Sequence, residues 1–200
     1  MPTKKLLPIL TDRFGEAEAI RLWQKALAEY EALLPMAHGQ PKDRKKNMEE
    51  SIFPFAAIYR VLLSGGMDRD EAMDHMYAIM EAFTRSGMRK TYETAGKLPF
   101  FFPLFRKMFS TGLKGASWEV DFLESNKEHF FYDIRRCLWH EVCTELGCPE
   151  LCKIFCRNDE INFVDVSPRL YFRRSSTLGS GGDRCDFRFY RHNPDGEADQ

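Results

Sequence analysis

The sequence predicts an α+β fold in which a helical N-terminal half packs on an antiparallel sheet with ββααββ order. Three observations carry this. Apolar residues recur at helical spacing through the first hundred or so positions. After Gly115 the period changes to two, first in "SWEVDFLES" and "HFFYDIRRC" and later in "RLYFRRSST" and "RCDFRFYRH". Between those two hairpins lies "CLWHEVCTELGCPELCKIFCRNDE", in which Gly147 suits a helix C-terminus and Pro149 the first turn of the next helix.

The helices follow in order. In "FGEAEAIRLWQKALAEYEALL", Ala19, Leu22, Trp23, Leu27 and Tyr30 fall on one face, and Pro35 discourages continuation. The basic "QPKDRKKNMEE" reads as a solvated connector. From Met48 to Leu63 the chain turns apolar again until Ser64-Gly65-Gly66 stops it, and Pro54 implies a kink or a late first turn. Asp68 caps the next helix, with Asp70 and Glu71 in the first turn and Gly87 beyond the end. Its Met73, Met76, Tyr77, Met80 and Phe83 form a packing stripe. The phenylalanine-rich "KLPFFFPLFRKMFSTGLKG" reads as burial over a ligand cavity rather than an interfacial membrane helix, because prolines interrupt a short apolar run.

The two strand pairs frame two short helices, Cys137 to Leu146 and Pro149 to Arg157, with Cys148, Cys152 and Cys156 on one stripe of the second. A chain of 200 residues suffices for one well-buried domain. One α+β domain is therefore expected over 1–192, with a helical half (1–115), a ββααββ half (116–192) and a disordered tail (193–200).

Charge and length exclude several classes. Lys and Arg number 29 against 30 Asp and Glu, a net of −1, so nothing favours nucleic acid or an anionic membrane surface as partner. "MPTKKLLPIL" is too short in apolar residues for a signal peptide, and no stretch is long enough to span a bilayer. A cytoplasmic protein with a small-molecule partner is expected, compatible with a homodimer. The six cysteines (137, 143, 148, 152, 156 and 185) should then be reduced, and without a C-x-x-C pair they predict no structural zinc. The pattern leaves the cofactor unidentified.

Chemistry concentrates late in the chain. Cys156 and Asp159, three apart at the expected end of the second short helix, bring a thiol and a carboxylate to one corner. Cys185 and Asp186 are adjacent in a strand, so only one can face inward; Cys185, with Phe187 and Phe189, is expected to do so, leaving Asp186 toward Arg188 and Arg191. Of Arg173 and Arg174, Arg174 is taken to point inward, where a guanidinium can grip a carboxylate. His140 and Glu141 lack a second histidine at i+4 and make no zincin motif. "GSGG" precedes a strand rather than a helix, and so reads as a turn instead of a phosphate loop.

Together "YDIRRC", "LGCPELCKIFCRND" and "FRRSSTLGSGGDRCDFRF" resemble the L-2-amino-thiazoline-4-carboxylic acid hydrolase family, through its C-x-x-D step, R-x-x-T-L, glycine and C-D-F. The resemblance implies Cys137, Cys156, Asp159, Arg174, Thr177, Cys185, Asp186 and Phe187 as matching positions. It implies opening of a cyclic amidine by water, with Cys156, Asp159 and Cys185 as the catalytic set. Arg174, Thr177, Asp186 and Cys137 would bind substrate. Asp159 serves as base or amidinium partner, Arg174 as carboxylate clamp, and Cys156 or Cys185 as nucleophile; a metal on Cys and Asp ligands would activate water equally well. The ββααββ half also resembles the small-ligand sensor domains related to vinyl-reductase accessory proteins, which would make the chain a binding module without turnover.

Overall fold

The computed structural model of the chain describes Met1 and residues 5–196. Nine α-helices and four strands are formed by these residues, and the chain divides into two compact units interleaved in sequence. One runs to Phe83 and includes Leu138–Phe155; the other comprises Thr84–Cys137 and the chain from Cys156 onward.

The first unit is helical. It opens with α1 (Leu6–Phe14), a helix outside those expected from the sequence, with Pro8 in its first turn. Proline in a first turn removes only an amide that would have no partner there. Helices α2 (Glu16–Leu33) and α5 (Arg69–Arg85) follow the expected apolar stripes. Asp68 caps α5 by accepting from the Glu71 amide at 2.9 Å. The basic stretch is not a connector: it forms α3 (Lys42–Asn47), which passes through a π-helical turn (Met48–Ile52) into α4 (Phe53–Ser64), with Pro54 in the first turn. Helix α8 (Leu138–Glu145) belongs to this unit, where Trp139 Nε1 donates to Ser51 Oγ at 3.2 Å and Glu141 pairs with Arg44 at 2.9 Å.

The second unit is an antiparallel four-stranded sheet in the order β1-β2-β4-β3, built from β1 (Trp118–Ser125), β2 (His129–Cys137), β3 (Tyr171–Arg173) and β4 (Cys185–Tyr190). Register places Tyr132 beside Phe187 and Ile134 beside Cys185, so alternate residues of β2 and β4 share one face. That face carries Phe130, Tyr132, Cys185, Phe187 and Phe189. They are buried in one cluster with Tyr92 of α6 (Met88–Ala95), Phe101, Phe102 and Phe105 of α7 (Phe101–Gly112), and Phe163 of α9 (Cys152–Phe163). Each fully buried ring contributes roughly 1.5–3 kcal/mol. The phenylalanine-rich segment is thus core on one side, whereas Phe100, Leu104 and Met108 face outward. Among the described residues no helix is long and apolar enough to cross a membrane. Asn193–Gly196 make a turn closed by the Gly196 amide on the Asn193 carbonyl at 3.1 Å; the rest of the expected tail, 197–200, lies outside the described residues.

Candidate functional site

Helix α9 is longer than its sequence suggests. The polar run "CRNDE" looks like a helix end, yet the helix continues to Phe163, so Asp159 sits inside it rather than on a return loop. Cys156, Asp159 and Phe163, at i, i+3 and i+7, share one stripe. Because Phe163 belongs to the aromatic cluster, that stripe is directed at the sheet's packed face. The apolar signal at Phe163, four residues after Asp159, is what would have extended the helix.

Opposite that stripe comes Arg174, just past β3. Its Nη1 donates to Asp159 Oδ2 at 2.8 Å, and its Nη2 to the Cys156 carbonyl at 2.8 Å and Glu160 Oε1 at 3.2 Å. The guanidinium lies 5.3 Å from the Phe187 ring centroid and 5.7 Å from that of Phe172. Only 4% of the Arg174 side chain is exposed, against 31% of Asp159. The inward choice of Arg174 over Arg173 matches the structure, where Arg173 lies half exposed and pairs with Asp195. Both terminal nitrogens of Arg174 are engaged within the protein, however, so the pair's accessible member is the carboxylate.

Burial raises the Asp159 carboxyl, Arg174 opposes it, and the Glu160 charge adds to it; the outcome is a group pushed up to about 6. Neighbouring atoms crowd the carboxyl closely enough to raise its proton affinity, although the side chain as a whole stays part-exposed. For Arg174, burial disfavours the charge, but Asp159, Cys156 and Glu160 outweigh it, and the guanidinium stays protonated.

Cys185 faces inward as expected. Burial pushes its thiol up to about 11; the Leu178 amide, donating to Sγ at 3.3 Å, and Arg174 act in the opposite sense, while Cys156 and Asp159 raise it further. It is therefore a neutral thiol at physiological pH. These mutual influences put Cys156, Asp159, Arg174 and Cys185 in one neighbourhood. Cys137 ends β2 opposite Trp118 and packs against the aromatic cluster. Among the described residues, no group of three or more His, Cys, Asp or Glu side chains is arranged to hold a metal ion.

Asp186 and Thr177 hold the loop that carries Arg174. Asp186 does not turn to Arg188 and Arg191; it accepts from the Ser175 amide at 3.0 Å, the Ser176 amide at 2.6 Å and Ser175 Oγ at 2.6 Å. Burial would raise its pKa, but these hydrogen bonds bring it below the ordinary value. Thr177 Oγ1 accepts from the Ser180 amide at 3.1 Å, capping a short 3₁₀ turn, Leu178–Ser180. The "GSGG" run is a turn, as expected. Gly181 has φ +86°, and a Cβ on Gly182 would clash with Ser176 Oγ.

No curated protein matches the sequence. Residues 45–189 match the family described as L-2-amino-thiazoline-4-carboxylic acid hydrolase, a stretch that spans well over half of the chain and contains every residue of the polar group around Asp159. The chain belongs to the L-2-amino-thiazoline-4-carboxylic acid hydrolase family.

Proposed function

We propose that the chain is a cytoplasmic hydrolase that opens a small carboxylate-bearing cyclic amidine such as 2-aminothiazoline-4-carboxylate, with Asp159 as the base. What supports this is a part-exposed aspartate side chain, ion-paired to a buried arginine, whose carboxyl burial pushes up to about 6. A base of that pKa is mostly ionised at neutral pH yet binds a proton far better than an ordinary aspartate. It also suits the positive charge of an amidinium.

In the reaction, a water oxygen bonds to the amidine carbon while its proton passes to Asp159. The tetrahedral adduct, whose ring nitrogen keeps the amidinium proton, collapses with rupture of the ring carbon–sulfur bond; the sulfur takes the proton held by Asp159, the adduct's hydroxyl proton is released to solvent as the carbonyl forms, and an open-chain ureido thiol is left. Arg174 acts as a positioning residue, fixing the Asp159 carboxyl and limiting how far burial raises its pKa. Cys156, one turn earlier on the same stripe, borders the carboxylate.

Asp159→Asn keeps the shape and removes the basicity. Turnover of 2-aminothiazoline-4-carboxylate should fall about 10²- to 10⁴-fold with KM changed only a few-fold. Equal activity in the two proteins removes Asp159 from the mechanism. Tight binding of cyclic amidines by the wild type without any turnover makes the chain a ligand-binding module instead.

A further inference from the structure

The aromatic cluster beside Asp159 contains two phenols. Tyr132, on the packed face of β2, is 1% exposed, and its ring lies 5.0 Å from Phe187 at 9°, the same Phe187 over which the Arg174 guanidinium lies. Tyr92, on α6, is 7% exposed, and its ring centroid is 5.7 Å from Phe163, one turn beyond Asp159 on the α9 stripe. Among the described residues neither hydroxyl has a hydrogen-bond partner, and neither oxygen is sealed from solvent. A buried phenol normally finds a partner, since leaving one unpaired costs stability. Here two are left open beside a carboxylate–arginine pair.

Both phenols lie within electrostatic reach of Asp159. Burial, then the Asp159 charge, pushes Tyr92 up to about 12; Tyr132 is raised well above the ordinary value by burial and Asp159, opposed by Arg174. Such hydroxyls stay protonated and can donate. The engaged terminal nitrogens of Arg174 leave an incoming anion to find its donors elsewhere.

Building on the proposed function, we propose that the Tyr92 and Tyr132 hydroxyls form the subsite for the ligand's carboxylate, so that Asp159 takes the amidine end of a zwitterion and the phenols its acid end. In the free protein the two donors have only water to bond, and the ligand's carboxylate takes that water's place. Selectivity for acids over the corresponding neutral rings then comes from tyrosine rather than from arginine.

Calorimetric titration of the full chain tests this with two probes whose aromatic ring does not open: 2-aminothiazole-4-carboxylate, and 2-aminothiazole without the acid. Tyr132→Phe and Tyr92→Phe should each weaken the acid probe roughly 10- to 100-fold and leave the neutral one within about twofold. Neither should lower the melting temperature, because the lost hydroxyl had no partner; a purely structural hydroxyl would predict a fall. Unchanged affinity for the acid probe in both variants overturns the subsite while leaving Asp159 as amidine partner intact. Failure of the wild type to bind either probe overturns both readings. A wild type that binds as described but never opens 2-aminothiazoline-4-carboxylate keeps the subsite and removes the hydrolase reading.

Discussion

Each compact unit holds a carboxylate–arginine pair near a buried cysteine, and the two pairs behave in opposite ways. In the helical unit Glu150 accepts from Tyr59 Oη at 2.7 Å and from Arg69, and the neighbouring Cys148 thiol is pushed by burial up to about 11. Arg69 is 62% exposed there and Glu150 24%. Burial acts to raise the Glu150 pKa, but Tyr59, its own backbone amide and Arg69 outweigh it, and the carboxyl ends below its ordinary value. In the sheet unit the exposure of the arginine is inverted: Arg174 is sunk in the protein, and Asp159 ends high, at about 6. Ion pairing alone therefore does not decide a carboxylate's basicity. What differs is the set of groups around the carboxyl, since the two side chains are similarly exposed; Glu150 gains a phenol and an amide as well as arginine, whereas Asp159 has Arg174 set against both burial and Glu160.

This contrast can be broken most directly at the carboxylates. The large loss of turnover expected for Asp159→Asn should have no counterpart in Glu150→Gln, whose turnover should stay within about twofold. Equal losses would mean that both act through general stability. Next come the arginines. Arg174→Gln leaves a crowded carboxylate without its counter-charge, so the acid limb of the rate profile should move from about 6 upward by roughly one unit or more, with a stability loss of about 2–4 kcal/mol. Arg69→Gln, at an exposed position, should cost far less in a denaturant titration. An unmoved acid limb in Arg174→Gln would show that the guanidinium does not govern Asp159.

Asp186→Ala sharpens the picture by freeing the Ser175 and Ser176 amides that hold Arg174 in place. It should cost roughly 2–3 kcal/mol in a denaturant titration and shift the acid limb in the same direction as Arg174→Gln, by a smaller amount. Loss of stability with an unchanged limb would confine Asp186 to the fold. The smallest effect is in the stability profile. A raised Asp159 pKa means that its stabilising contribution is complete below the unfolded value near 4 and is lost as pH rises through about 6, an effect on the order of 1–2 kcal/mol given its part-exposed side chain. Glu150, with a lowered pKa, contributes above its ordinary value and loses that contribution as pH falls. Unfolding from pH 4 to 7 should therefore show a decline that Asp159→Asn abolishes; a decline that persists in Asp159→Asn belongs to another group.

Much of this was legible in the sequence. Helical and twofold periods located α2, α5 and all four strands; in β4 alternation left Cys185 two faces and its companions Phe187 and Phe189 selected the inner one, whereas Arg174, just past β3, was chosen for the carboxylate that an inward guanidinium can grip. The rest lay beyond local pattern. Helix α3 hid in a charge run whose only cues were Pro41 and Asp43 at its start. Asp159 looked terminal because Asn158 and Asp159 are poor helix-interior residues, while tertiary burial of Phe163 overrides that preference. The role of Asp186 depends on backbone amides eleven and ten residues away, and the Asp159 charge acts on Tyr92 from a different helix, with α7, β1, β2 and α8 between them in sequence. No spacing rule reaches those distances.

The interleaving of the two units also has a temporal side. Strand β2 leaves the ribosome long before its central neighbour, since Asp133 and Arg188, bonded across the ladder, are 55 residues apart. At roughly 5–20 residues per second, the aromatic face of β2 waits about 3–11 seconds for β4. During that interval α8 is synthesised, a segment that joins the other unit. A nascent chain stalled in that window presents Phe130 and Tyr132 on an unpaired strand edge, so codon changes that slow translation there should increase aggregation without altering a single residue.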